Sequence, residues 1–232
     1  MIRIFDTGYV KLHDVMGSDL TVANAARVSY DKKKDKMDDK DVRLIRFLAQ
    51  HGHTSPFRHT MLQFEVYAPL MIARQWWKYL AGSDHVMDAW NESSRRYITE
   101  ECEFYIPTSD EWRSAPDNKK QGSGELLPSD IGFELMATLD RYIQEGESLY
   151  NWAMDKGACA EQARLFLPAY AMYVRWYWTA SLQSVAHLIN QRMKGDAQFE
   201  FQEYAKAVYQ LSHEKFPISI GELINAGIYK SE

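Results

Sequence analysis

The sequence predicts a single α+β domain, residues 1–232, that is mostly helical and contains a small, antiparallel-rich sheet. Three observations support this prediction. Long segments carry apolar residues at helical spacing, two short segments have the composition and alternation of strands, and no internal repeat divides the chain. A length of 232 residues is also within the range of one domain with a substantial core.

The first predicted helix runs from Asp38 to His51. Apolar residues recur there at helical spacing behind a capping aspartate, Asp38 or Asp39. Gly52 ends this helix, and residues 53–60 follow as a loop.

A strand and a second helix come next. Residues 61–67 alternate between apolar and polar side chains, which predicts a half-buried strand. Its apolar face contains Leu62, Phe64 and Val66. Pro69 suits the first residue of a helix that continues to about Leu80, because proline lacks the N–H that this position leaves unpaired. Residues 81–90 are predicted to form a loop.

The second half opens with a polar, Pro/Gly/Ser-rich segment, residues 109–130, which we interpret as a mobile surface insert. A long helix capped by Ser129 or Asp130 follows. Its predicted apolar stripe contains Leu135, Leu139, Tyr142, Ile143, Leu149, Tyr150 and Ala153. The remaining predicted elements are a short helix from Arg164 up to Pro168, a strand over 172–178, a helix capped by Ser181, a long helix over 198–215 and a short one after it.

The composition narrows the class of protein. A net charge of −5 and a pI near 5.8 argue against a dedicated nucleic-acid binder, which normally has a basic domain. Cys102 and Cys159 are too few and too far apart for a disulfide framework or a zinc site, and we interpret them as reduced cytosolic thiols. The N-terminus lacks the pattern of a signal peptide, and no apolar run is long enough to span a membrane. We therefore expect a cytoplasmic protein with neither nucleic-acid nor membrane partners.

Several short blocks carry most of the chemical information. They are 25–29 (AARVS), 51–59 (HGHTSPFRH), 73–76 (ARQW), 91–97 (NESSRRY), 163–168 (ARLFLP), 178–179 (WT), 190–192 (NQR) and 197–200 (AQFE). In content, order and approximate spacing, this set resembles the flavin-dependent thymidylate synthase (ThyX) family. One segment departs from the family pattern. Where the family has Arg-His-Arg, this chain has Lys78, Tyr79 and Leu80, and several extra residues lie between Ala81 and Trp90.

The resemblance implies a reaction that converts dUMP to dTMP. The family uses methylenetetrahydrofolate as one-carbon donor and FAD, reduced by NADPH, as hydride source, and it forms homotetramers with active sites at subunit junctions. Two alternatives remain open. One is a relative with a changed product, for example hydroxymethylated dUMP, and the other is a non-catalytic nucleotide-binding protein.

The resemblance also assigns residues to dUMP. The positions implied are Gln75, Glu92, Ser93, Ser94, Arg95, Arg96, Arg164 and Arg192. Ser93 and Arg95 are expected to contribute their backbone N–H groups. Arg192 matches the arginine at the uracil edge and is the expected catalytic residue, because a forked, permanently charged guanidinium stabilises negative charge on the ring.

The FAD positions implied by the resemblance are His53, Ser55, Lys78, Tyr79, Leu80, Glu92, Ser181, Gln183 and His187. The insertion between Ala81 and Trp90 is expected to form part of the wall of the flavin and nucleotide site. The nearby histidines His51, His53 and His59 lack the acidic partners and helical spacing that metal sites favour, so no metal is expected.

Ser94 invites comparison with a covalent nucleophile, but no histidine lies at a spacing that identifies it as a general base. We therefore expect Ser94→Ala to retain a substantial part of the dTMP-forming activity, measured with flavin-loaded protein. Loss of a true nucleophile would cost several decades in rate. Complete inactivity in a folded, flavin-loaded variant would support covalent attack by Ser94.

Overall fold

The computed structural model describes residues 1–28, 33–81, 89–93, 102–116 and 122–225. Five strands lie in these ranges: β1 (Ile2–Ile4), β2 (Gly8–Met16), β3 (Met61–Pro69), β4 (Ala89–Glu92) and β5 (Tyr173–Ser181). The α-helices are α1 (Asp19–Ala26), α2 (Asp39–Gln50), α3 (Leu70–Ala81), α4 (Ser129–Asp155), α5 (Ala160–Ala163), α6 (Leu182–Arg192), α7 (Phe199–Lys215) and α8 (Ser219–Asn225). The prediction of a mostly helical α+β fold is confirmed. None of the helices in these ranges is long and apolar enough to cross a membrane.

The strands form one sheet in the order β1-β2-β3-β5-β4, in which β1, β2 and β3 pair antiparallel. The predicted apolar face of β3 is confirmed, because Leu62, Phe64 and Val66 are fully buried. Three strands were missing from the prediction. In β2 the alternation is disturbed by a register shift between Leu12 and Asp14, which hides its periodicity in the sequence.

The opposite face of the sheet contains a buried carboxylate. Glu65 is 8% exposed, accepts a hydrogen bond of 2.6 Å from the Tyr9 hydroxyl and lies 2.5 Å from His13 Nε2. Burial alone would raise the pKa of Glu65, but the hydrogen bonds with Tyr9 and His13 outweigh it and lower the pKa below its ordinary value. The polar face of β3 is therefore satisfied internally at this position.

Helix ends agree with the predicted caps at two positions. The Asp38 side chain accepts hydrogen bonds from Lys40 N and Asp41 N at the start of α2, and Ser181 Oγ accepts one from Ser184 N at the start of α6. The predicted cap of α4 is wrong, because the helix already includes Ser129 and starts directly after Pro128.

Other predicted boundaries need correction. Pro69 is the last residue of β3, not the first of α3. The predicted loop at 53–60 contains a 3₁₀ helix, Ser55–His59, and Arg164 begins a second 3₁₀ helix, Arg164–Phe166. Residues 89–92 form β4, so the predicted loop at 81–90 ends earlier than expected. Residues 82–88 of that loop lie outside the described ranges.

The chain forms two compact units. The first comprises Met1–Tyr67, Gln75–Asn91 and Trp176–Glu232, and the second Ala68–Arg74 and Glu92–Arg175. The single domain remains a prediction. So does the mobility of the insert at 109–130, whose described ends pair with each other through backbone hydrogen bonds from Ser114 N to Glu125 O and from Leu127 N to Trp112 O.

An aromatic cluster fills the core of the first unit. Trp76, Trp176 and Trp178 are fully buried, and the ring centroid of Trp76 lies 5.4 Å from each of the other two. The Phe201 ring stacks on Trp76 at 5.3 Å, and Trp90 stacks on Trp176 at 4.7 Å. These contacts join α3, β4, β5 and α7 around one set of rings, which determines where the neighbours of Trp76 on α3 point.

The second unit contains the long helix α4, whose packed side includes Gly132, Ile143, Gly146 and Ala153. The predicted apolar stripe of α4 is only partly buried. Leu135, Tyr142 and Leu149 are exposed, whereas Ile143 and Ala153 are buried. The helix has a broad apolar surface, of which the chain itself covers one side.

Gly132 allows α4 to approach the backbone of residue 109. A Cβ atom at Gly132 would lie 1.8 Å from the carbonyl oxygen of Ser109. We expect Gly132→Ala to lower the free energy of unfolding by about 1–3 kcal/mol, because backbone must move to relieve this overlap. Urea denaturation measures the change.

Gly221→Ala in α8 is the matched control, since no described atom lies within 4 Å of the added Cβ. This variant should gain about 0.5–1 kcal/mol from the better helix propensity of alanine. A Gly132→Ala protein that is as stable as the control would contradict the close approach.

Candidate active site

Two predicted site residues of the first unit, Arg192 and Tyr79, come together with a residue of α7. Arg192 is the last residue of α6, and its guanidinium carbon lies 5.0 Å from the ring centroid of Tyr79 on α3. The same carbon lies 5.2 Å from the ring centroid of Phe201 on α7. Both distances are within the range of cation–π contacts. The positive charge is therefore held against two aromatic rings.

The Nε–H group of Arg192 is available as a hydrogen-bond donor to a ligand. Arg192 Nε is buried and makes no hydrogen bond with any residue that the structure describes. Leaving such a donor unpaired in a protein interior costs free energy. An acceptor on a bound ligand would remove this cost, so the atom fits the predicted contact with a uracil edge.

Hydrogen-bonded polar side chains connect α3 to the start of α7. Gln75 is four residues from Tyr79 and shares its face of α3. Its Nε2 donates a hydrogen bond to Gln198 Oε1, and Gln198 Nε2 donates to Glu200 Oε2 at 2.8 Å. The position of the predicted dUMP residue Gln75 is thus set by the start of α7.

Tyr79 links positions predicted for both ligands. Its ring lies against Arg192, the predicted uracil residue, and 5.6 Å from the ring of His187, a predicted FAD residue. Burial raises the pKa of the Tyr79 hydroxyl above its ordinary value, although the charge of Arg192 and hydrogen bonding with it act in the opposite direction. The hydroxyl is neutral at physiological pH and can serve as a donor.

Two other predicted FAD residues have internal partners. Ser181 is 2% exposed and caps α6. Gln183 is 3% exposed, and its Oε1 accepts a hydrogen bond of 2.8 Å from Arg58 Nε. The structure gives both side chains a role in holding the first turn of α6.

Three further predicted FAD residues, His53, Ser55 and Lys78, are exposed. The His53 ring packs edge-on against Phe47 at 5.8 Å, and Ser55 begins the 3₁₀ helix. Imidazole, hydroxyl and ammonium groups all donate to phosphate oxygens, so this donor set fits the diphosphate of FAD. Leu80 belongs to α3, but its side chain lies outside the description.

The second unit contains Glu92, Ser93 and Arg164. Glu92 is exposed at the end of β4, and Arg164 is exposed at the start of its 3₁₀ helix. The Ser93 N–H, predicted to bind dUMP, donates a hydrogen bond of 2.8 Å to the carbonyl oxygen of Arg175. The predicted dUMP residues Ser94, Arg95 and Arg96 lie outside the described ranges.

Sequence reasoning did not select Phe201, Gln198 or Arg58 as site residues. Gln198 lies in the 197–200 block, so the sequence contained a signal that could have identified it. Phe201 is fully buried, so its sequence context indicates only a core position. Arg58 is separated from Gln183 by 125 residues, and no local pattern reveals such a pair.

Comparisons with known proteins identify the family of this chain. The model of the family described as thymidylate synthase complementing protein matches residues 11–218. The chain is 35% identical to the flavin-dependent thymidylate synthase of Thermotoga neapolitana, over 93% of this chain and 90% of that protein. It is also 35% identical to the enzyme of Thermus thermophilus, over 94% and 76% of the two chains.

The fold of this chain is also similar to that of a solved structure. The crystal structure of the UMP/dUMP methylase PolB from Streptomyces cacaoi, bound with 5-bromo-dUMP, matches with a TM-score of 0.84 and 25% identity over 99% of this chain and 100% of that one. With a family match across most of the chain and relatives at this identity, the protein belongs to the flavin-dependent thymidylate synthase family.

Proposed function

We propose that this protein is a flavin-dependent thymidylate synthase that converts dUMP to dTMP. Methylenetetrahydrofolate donates the one-carbon unit, and FAD reduced by NADPH provides the hydride. The observation that carries the proposal is the Arg192 guanidinium, held against two rings with a buried donor available. Family membership and the similarity to a dUMP methylase support the same reaction. A cytoplasmic location is part of the proposal.

Arg192 performs the electrostatic part of the chemistry. Methylation requires uracil C5 to become nucleophilic, which happens when negative charge develops on the ring. A fixed guanidinium stabilises that charge without giving up a proton, and it does so most strongly where water is excluded. Gln75 lies beside Tyr79 on α3 and offers an amide that can orient the base.

The flavin, when bound, supplies the hydride that reduces the transferred one-carbon unit. Among the residues of this chain, His53, Ser55 and Lys78 would hold its diphosphate, since they are exposed donors of the required type. His187 and Tyr79 would line the part of the flavin site nearest to Arg192. Ser181 and Gln183 would act through α6, whose first turn they stabilise.

A change of substrate or product is the second candidate. The segment Lys78-Tyr79-Leu80 stands where the family has Arg-His-Arg, and PolB is a UMP/dUMP methylase.

The decisive experiment incubates the purified, yellow protein with methylenetetrahydrofolate, NADPH and either dUMP or UMP. A product heavier than dUMP by one methylene group supports thymidylate synthesis, whereas a hydroxymethylated or ribonucleotide product supports the second candidate.

We propose that the protein assembles as a homotetramer, and the surface of α4 supports self-association. Leu135, Tyr142 and Leu149 follow one another at seven-residue spacing and are 36%, 55% and 38% exposed. Ile131 and Trp152 extend the same stripe. Seven-residue spacing of apolar residues is typical of a helix that packs against another helix.

Arg192→Lys tests the catalytic assignment. We expect bound FAD and measurable NADPH oxidation to remain while dTMP formation falls by about a hundredfold or more, because lysine cannot address two uracil atoms at once. Arg46→Lys on the exposed surface of α2 is the matched control. Near-normal dTMP formation by Arg192→Lys would remove Arg192 from the catalytic role.

Leu135→Glu combined with Leu149→Glu tests the assembly. The two added charges should shift the sedimentation coefficient towards smaller species, because an apolar helix–helix contact cannot bury unpaired carboxylates. Phe133→Glu, on the same helix but off the stripe and 60% exposed, should leave the assembly unchanged. If the double variant sediments like the wild type, α4 does not form a subunit interface.

A further inference from the structure

We propose that Tyr79 and Phe201 are positioning residues for Arg192: their two rings hold the guanidinium in the orientation that the uracil requires, with no carboxylate paired to it within the described ranges. The inference rests on the proposed function of Arg192 and concerns how this chain achieves it. Neither ring was assigned this role by the resemblance, which places Tyr79 among the FAD residues and leaves Phe201 unassigned.

The geometry defines the arrangement. Arg192 ends α6, Tyr79 lies near the end of α3, and Phe201 lies in the first turn of α7. The guanidinium carbon is 5.0 Å from one ring centroid and 5.2 Å from the other, and the two rings are 6.5 Å apart with planes at 80°. Rings inclined in this way limit the guanidinium in two directions, so rotation about the long arginine side chain is restricted.

The rings are themselves fixed. Phe201 is fully buried and stacks on Trp76, which belongs to the aromatic core of the first unit. Tyr79 is half-buried and lies against the His187 ring. Because each ring is packed on a second element, the pair does not depend on Arg192 for its own placement.

The charge balance explains why rings suit this task. Within the described ranges, no carboxylate pairs with Arg192. A carboxylate would orient the guanidinium but would also neutralise the positive charge that must act on the uracil. Aromatic faces attract the cation through their quadrupole and leave its full charge in place. The Tyr79 hydroxyl carries no charge, because burial raises its pKa above the ordinary value.

The residue at position 79 also affects the charge near Arg192. The family pattern has histidine between two arginines at this point, and this chain has Tyr79 between Lys78 and Leu80. Tyrosine cannot become cationic, so it does not repel the guanidinium beside it. The chain therefore has no cationic residue at position 80 and cannot have one at position 79, whose ring lies against Arg192.

The test is a double-mutant cycle on kcat, with KM for dUMP and flavin content measured in parallel. Tyr79→Leu and Phe201→Leu remove the rings, and Tyr79→Phe keeps the ring but removes the hydroxyl. We expect the two leucine variants to lose about ten- to a hundredfold in kcat, as misplacement of a reacting group does, with little change in KM for dUMP. Tyr79→Phe should remain within about threefold of the wild type, which is rescue by the conservative change.

The cycle separates positioning from other roles. In an Arg192→Lys background, Tyr79→Leu should cost little more, because the two residues act as a unit. Full additivity of the two losses would overturn the proposal. Tyr209→Leu on α7, whose ring lies 5.5 Å from His213, is the control for loss of an aromatic residue from that helix.

A crystal structure of Tyr79→Leu without ligands makes the test independent of turnover. The proposal expects the Arg192 guanidinium to leave its position beside Phe201, and an unmoved guanidinium would overturn it. If the wild-type protein makes no dTMP, the proposed function fails, whereas the position of Arg192 in this crystal still decides whether the rings hold it. Because Phe201→Leu also touches the aromatic core, the half-buried Tyr79→Leu provides the decisive variant.

Discussion

The packing of Trp76 against Trp176, Trp178 and Phe201 is the contact on which the rest of the site depends. Trp76 and Phe201 stack, whereas the other two indoles meet Trp76 at 78° and 81°, so that a positive ring edge faces a negative ring face. These rings come from three different elements, α3, β5 and α7. With Trp76 fixed, the adjacent Gln75 and the nearby Tyr79 can point only towards the ends of α6 and α7.

The same cluster carries an energetic cost. The indole N–H groups of Trp76, Trp90, Trp176 and Trp178 are buried and make no hydrogen bond with any part of the chain that the structure describes. Unpaired buried donors are uncommon in native proteins, and each costs about 1–3 kcal/mol. Large aromatic burial offsets this cost, since one such side chain removes about 150–250 Å² from water. The core therefore depends on dispersion and apolar burial more than on polar contacts.

Local pattern was enough to predict the elements with strong periodicity or a clear cap. Asp38 and Ser181 mark helix starts because their side chains accept backbone hydrogen bonds, and β3 alternates in the expected way. The predicted boundary between β3 and α3 was wrong. The strand runs through Pro69 and the helix begins at Leu70, and the local sequence alone does not reveal where one element gives way to the next. For the candidate site, Arg192 and Gln75 were selected from the family blocks, and their roles toward the ligands remain predictions. The contact of Arg192 with Phe201 did not, because it depends on how α6 and α7 pack and leaves no trace in either helix alone.

The stacking of Trp90 on Trp176 also bears on how the chain tolerates extra length. Trp77 and Trp90 lie on either side of the insertion, with ring centroids 6.0 Å apart, so the two ends of that segment are anchored beside each other. When the ends of a loop are anchored, each doubling of its length costs only about 0.6 kcal/mol in closure entropy. Relatives can therefore lengthen or shorten this segment over evolutionary time while α3 and β4 keep their places. Diversity in sequence and length can accumulate in this segment without disturbing the aromatic core of the first unit.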